Sequence, residues 1–230
     1  MKVFLHFDRT CWLLITGLVL MCGCSVNQLA HRANKKLAEQ EYAKAGELTI
    51  KALEKDSLSP AVWYLTSKYL LTYENPAYYD SAYQGIQKAL NIYDTLDNES
   101  KDQLHKFHFD SVRFSQQKQL IDSLAFVQAE KTNTLAGYNT FIQKYATAKQ
   151  IPLARSKRNA LAFARAKEMN SYESYKQFME MYPDAVQVPE AKRRYEKLYF
   201  DQSTADGRVT SYIRFLEKNP ETPYRKEAEQ

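Results

Sequence analysis

From Leu124 to the chain end, apolar and aromatic positions recur every 37 residues in five columns. These are Leu124, Leu161 and Leu198; Phe126, Phe163 and Phe200; Tyr138, Tyr175 and Tyr212; Phe141, Phe178 and Phe215; and Ala154, Ala191 and Ala228. Within a unit the spacing is helical. Tyr175, Phe178, Met179 and Tyr182 fall at i, i+3, i+4 and i+7, a single stripe on a helix opened by Ser171 and stopped by Pro183. Tyr138, Phe141, Ile142 and Tyr145 repeat that stripe from Thr134, and both Thr134 and Ser171 suit an N-cap. Pro189 then opens a second helix with its own stripe, Ala191, Tyr195, Leu198 and Tyr199. The run after Pro152 is less regular, because Arg158 falls where Tyr195 does. Each unit therefore predicts a short helix followed by a longer one. The third unit departs in two places, with Asn219 in the Tyr position and Gly207 where the others carry Asn133 and Asn170.

A second pair of repeats lies nearer the start. Tyr42, Ala45, Ala52 and Leu53 recur 37 residues later as Tyr79, Ala82, Ala89 and Leu90. Alanines seven apart share one helix face and let a neighbouring helix approach closely. Pro60 is placed to open the next helix, where its missing amide costs nothing, and Asn75-Pro76 predicts a turn. Between the two sets, residues 98–123 carry Phe107, Phe114 and Ile121 at seven-residue spacing, which predicts one connecting helix. A period in this range predicts units that bury their apolar faces only by stacking on neighbours. The expected packing residues are Tyr42, Ala45, Ala52, Tyr79, Ala82, Ala89, Tyr138, Phe141, Ala154, Tyr175, Phe178, Ala191, Tyr212, Phe215 and Ala228.

The alanine pairs of residues 29–97 resemble the small positions of tetratricopeptide repeats. That resemblance implies an all-α, right-handed α-solenoid of helix-turn-helix units, two in 29–97 and three in 124–230, the last incomplete. Tyr175, Phe178, Tyr182, Pro183 and Ala191 also resemble the units of outer-membrane lipoproteins, the one serving the β-barrel assembly machinery among them.

The first 24 residues are of another kind. Lys2 and Arg9 precede an uncharged run from Cys11 to Cys22, too short for the roughly 20 residues of a membrane span, and the stretch reads as a secretory signal. Leu20-Met21-Cys22-Gly23-Cys24 resembles a bacterial lipobox, which implies a signal peptide over 1–23, a lipid on Cys24 and a short tether over 24–28. Ser25 in the next position implies, by the same resemblance, an outer-membrane destination facing the periplasm. All three cysteines lie within residues 1–24, so no disulfide is expected in the exported body.

The formal charge of +5 changes little. Residues 122–230 hold 18 basic and 14 acidic side chains, a mixed solvated surface and no nucleic-acid footprint. The tightest basic cluster, Lys192-Arg193-Arg194, is expected on the exposed side of a helix. There is no phosphate loop, nucleophile elbow or Cys/His metal pattern. His105 and His108 are one turn apart but lack further ligands, so no metal, cofactor or catalytic residue is expected. Tyr64, Tyr78 and Tyr172 lie off the columns and are candidates for a partner surface. The expected function is a non-enzymatic, membrane-anchored scaffold that holds other envelope proteins, in outer-membrane assembly or secretion. The alternative is the repeat module of a larger envelope enzyme of cell-wall hydrolase type, with its catalytic domain beyond Gln230.

Overall fold

The computed structural model describes residues 26–230. Cys24 and the signal segment lie outside them. Among the described residues every regular element is helical. After α1 (26–38) come α2 (Tyr42–Lys55), α3 (Pro60–Leu71), a 3-10 turn (Pro76–Tyr78), α4 (Tyr79–Thr95), α5 (Asn98–His105) and α6 (Ser111–Thr132). There follow α7 (Leu135–Lys144), α8 (Ile151–Met169), α9 (Tyr172–Met181), α10 (Val188–Ser203), α11 (Val209–Lys218) and α12 (Arg225–Glu229). The chain divides into two compact units between Gln128 and Ala129.

In the first unit, α1 buries Val26, Ala30, Ala33 and Leu37, the i, i+4, i+7, i+11 stripe of an amphipathic helix. Val26 packs with Ala52 of α2 and Val62 of α3. Glu41, in the turn before α2, accepts from Lys36 on α1 and Lys44 on α2 at 2.8 and 3.0 Å. The two lysines hold its carboxyl down to about 2. Helices α3 and α4 approach closely. A Cβ on Gly85 would stand 3.3 Å from the Trp63 carbonyl oxygen, so this position is glycine because two helix backbones nearly touch there. Ala82 and Ala89 flank it, fully buried.

Residues 98–123 are not one helix. Asp97 caps α5 by accepting from the Ser100 amide at 2.7 Å, α5 ends at His105, and His108 turns the chain with φ of 61°. Asp110 then accepts from the Arg113 amide at 2.8 Å in the first turn of α6. The seven-residue spacing of Phe107 and Phe114 thus bridges a break. Phe109, in that break, and Phe114, on α6, are fully buried around Tyr64, 5.9 and 5.3 Å between ring centroids. His31 of α1 stands 5.9 Å from the Phe107 ring, so the first helix meets the turn between the fifth and sixth. Left-handed residues close α1, α3 and α5 at Gln40, Glu74 and His108, 34 apart. The 37-residue spacing of Tyr42 and Tyr79 includes the added turn Pro76–Tyr78.

The second unit repeats its details more closely. Thr134 accepts from the Gly137 amide, and Ser171 forms a reciprocal capping box with Ser174. Phe163 of α8 lies 5.3 Å from Phe178 and 6.3 Å from Tyr175 of α9; Phe200 of α10 lies 5.2 Å from Phe215 and 6.3 Å from Tyr212 of α11. The turn inside each helix pair also recurs. The amides of Tyr145, Tyr182 and Asn219 donate to the carbonyls of Phe141, Phe178 and Phe215 at 2.9, 2.9 and 3.0 Å. The amides of Ala148, Ala185 and Thr222 then donate to residues 145, 182 and 219 at 2.8, 3.0 and 3.1 Å.

Candidate functional site

The residues expected to pack fall into two groups. Ala45, Ala52, Ala82, Ala89, Tyr138, Phe141, Ala154, Tyr175, Phe178, Ala191, Phe215 and Ala228 are buried. Tyr79 and Tyr212 are half-buried, and Tyr42 is exposed at 43%. Tyr42 is the first residue of α2, where its side chain has no preceding turn to lie on, so it is a surface residue and not a packing one. Tyr212 also differs from its two equivalents at residue 207. Asn133 and Asn170 both adopt φ of 45°, and each accepts a hydrogen bond from the tyrosine five residues on, Tyr138 at 3.4 Å and Tyr175 at 3.3 Å. Gly207 keeps the left-handed backbone, φ 65°, but offers Tyr212 no side-chain acceptor.

The three off-column tyrosines part ways. Tyr64 is core, and burial pushes its hydroxyl pKa up. Tyr78 is exposed at 37% and lies 4.9 Å from Tyr73, whose hydroxyl is 3.1 Å from that of Tyr69. Tyr172 of α9 stands edge-on to Tyr195 and Tyr199 of α10, at 6.2 and 5.2 Å; these two rings, one turn apart, are parallel within 6° at 5.7 Å.

That aromatic cluster borders a recess of about 210 Å³ lined by Tyr195, Tyr199, Phe215, Asn219, Glu196 and Glu221, among others. Its origin is a single position. In the preceding turn Tyr182 is buried 5.6 Å from Phe178, with the Arg158 guanidinium 4.8 Å from its ring. Moved 37 residues on, those three places are Asn219, Phe215 and Tyr195. Asn219 folds its amide back onto the Phe215 carbonyl at 2.9 Å and leaves the tyrosine's place open.

A second recess, about 240 Å³, is lined by Leu135, Ala162, Met169, Phe178 and Met181. Here Leu135 and Ala162 stand where the next interface has Tyr172 and Tyr199. Each recess thus marks a tyrosine that one interface lacks and its neighbour keeps. Met169 and Met181 are exposed at its edge; neither belongs to a 37-residue column, so the repeat gives no sign of them.

Electrostatics elsewhere are ordinary with one exception. Glu190 pairs with both Arg193 and Arg194 on the outer side of α10, which places the basic cluster at the surface. His105 Nδ1 is 3.7 Å from Asp110, and the described residues hold no group of three or more metal-ligating side chains. The exception is Asp122 on α6, which is 3% exposed and pairs with Lys118 at 2.8 Å. Burial raises its carboxyl pKa against the lowering effect of Lys118. No helix of the described residues is long and apolar enough to cross a membrane. The chain matches no protein-family model, no curated protein and no solved structure.

Proposed function

We propose that this chain is a lipid-anchored α-solenoid of tetratricopeptide-like units that holds other proteins in the bacterial cell envelope and has no catalytic role of its own. The observation that carries this reading is the recurrence of one ring geometry at successive interfaces, Phe163 on Tyr175 and Phe178, then Phe200 on Tyr212 and Phe215. Equivalent interfaces between consecutive helix pairs are how a stacked array grows, and a stack offers a docking surface whose shape needs little ordering on binding. The 34-residue interval of Gln40, Glu74 and His108 supports the same reading for the first unit. Half-buried tyrosines beside an open recess in the second unit suit a protein partner, since a ring and a hydroxyl can both be used at an interface. The Gly23-Cys24 lipobox supports attachment at the outer membrane, and several acyl chains, each CH₂ worth roughly 0.8 kcal/mol, suffice to hold it there.

The test is crosslinking in cells and capture of the full lipidated chain, beside Cys24→Ala. Recovery of a defined envelope protein with the parent and its loss with the variant is the expected outcome. Recovery of glycan fragments alone would overturn the scaffold reading.

A further inference from the structure

We infer that the recess over Asn219 is a docking site for an arginine side chain carried by a partner protein. The inference rests on the scaffold reading and names what its surface recognises. Three observations carry it. First, the recess is the place of one side chain. The equivalent place one unit earlier is filled by Tyr182, and a volume of about 210 Å³ lies below the roughly 300–1,000 Å³ of pockets that enclose a whole small molecule.

Second, the walls are chosen for a cation. Tyr195, Tyr199 and Phe215 line the recess with the carboxylates of Glu196 and Glu221, the first two rings being parallel, and among the described residues no lysine or arginine lines it; Arg225 at its rim is already held by the Pro220 carbonyl and Glu229. Glu196 is loosely engaged by Lys192 at 3.9 Å. Glu221 is exposed and joins no ion pair among the described residues. Aromatic faces with an adjacent carboxylate stabilise a positive group through its attraction to the ring quadrupole and to the anion together.

Third, the chain already makes this contact one unit earlier, where the Arg158 guanidinium lies over the Tyr182 ring. In the third unit the helix position has become the ring, Tyr195, and the turn position has been emptied, so the missing member of the pair is the cation. A planar, weakly hydrated guanidinium suits stacked rings better than an ammonium.

The experiment is an NMR titration of the full chain, labelled with carbon-13 at the tyrosine rings, with an acetylated pentapeptide bearing a central arginine. The glutamine pentapeptide and an oligomer of N-acetylglucosamine serve as comparison probes. The arginine peptide is expected to move the Tyr195 and Tyr199 ring signals saturably, and the other two probes to leave them in place. Asn219→Tyr refills the recess, so it is expected to abolish the shifts while raising the thermal midpoint. Glu221→Gln, an exposed change that leaves the packing alone, is expected to weaken binding by about threefold to tenfold. Equal shifts with the glutamine peptide, shifts produced by the sugar, or full binding retained in both variants would overturn the assignment. If the arginine peptide moves nothing while the anchored chain still captures a defined envelope protein, this site is wrong and the scaffold reading stands. Loss of both removes both.

Discussion

Asn133 and Asn170 do two jobs with one side chain. A left-handed backbone costs most L-residues about 1–2 kcal/mol, and asparagine is among the few that accept it. The same amide then accepts the hydroxyl of a tyrosine that is almost wholly covered. Asn170→Ala removes both, and is expected to lower unfolding stability by about 1–3 kcal/mol. Asn170→Gly keeps the backbone and removes only the Tyr175 hydroxyl's bond to Asn170, while Arg194 still pairs with that hydroxyl, so it should lose less than the alanine variant. Urea midpoints of the two variants decide the point, and equal losses would mean the backbone conformation contributes nothing. The recurrence of Asn133 and Asn170 was visible as a column, but its cause was not, because a sequence does not display φ.

Among the elements, the pairing of α3 with α4 depends on small side chains. Ala82 and Ala89 were legible as a close-packing face from their spacing, and both are fully buried. Gly85 lies between them and is the tighter constraint, with the Trp63 carbonyl 3.3 Å and the Ser67 amide 3.5 Å from where a Cβ would sit. Ordinarily alanine is favoured over glycine inside a helix by about 1 kcal/mol. Gly85→Leu is expected to reverse that sign and destabilise by about 1–3 kcal/mol through overpacking against backbone that cannot yield. A thermal midpoint at or above the parent's would show that the two helices part freely. The break between α5 and α6 is not legible in the sequence for the opposite reason. Phe107, Phe114 and Ile121 keep helical spacing across it, and periodicity alone does not register a left-handed turn at His108 that swings Phe109 into the core. Off the columns, Tyr64 is by sequence only a candidate for a partner surface, yet it is the buried ring on which Phe109 and Phe114 close.

On the scale of the whole chain, each compact unit has its own logic. The first adds to consecutive pairing a contact between α1 and the α5–α6 turn, at His31 and Phe107. The second keeps near-identical backbone turns while exchanging the side chains that fill them. That exchange predicts a gradient in local stability. The Tyr182 and Asn219 amides make the same hydrogen bond, at 2.9 and 3.0 Å, but only the first is covered by a buried ring. Local opening follows buried apolar contact, so the Asn219 amide should exchange with solvent faster by on the order of tenfold. Hydrogen exchange read by NMR checks this, and equal protection would mean the tyrosine's burial does not hold the turn.

The sequence by itself determined the helical class, the 37-residue register, the caps at Thr134 and Ser171 and most of the buried columns. These follow from local spacing and from side chains that bond their own backbone. It also showed that Asn219 and Gly207 break the pattern. Only the tertiary structure decided what the breaks do. Whether a missing ring becomes a collapsed contact or an open recess depends on what faces it from neighbouring helices. In the last pair those faces are Tyr195, Tyr199 and Phe215, brought together only when the consecutive helices α10 and α11 pack on each other.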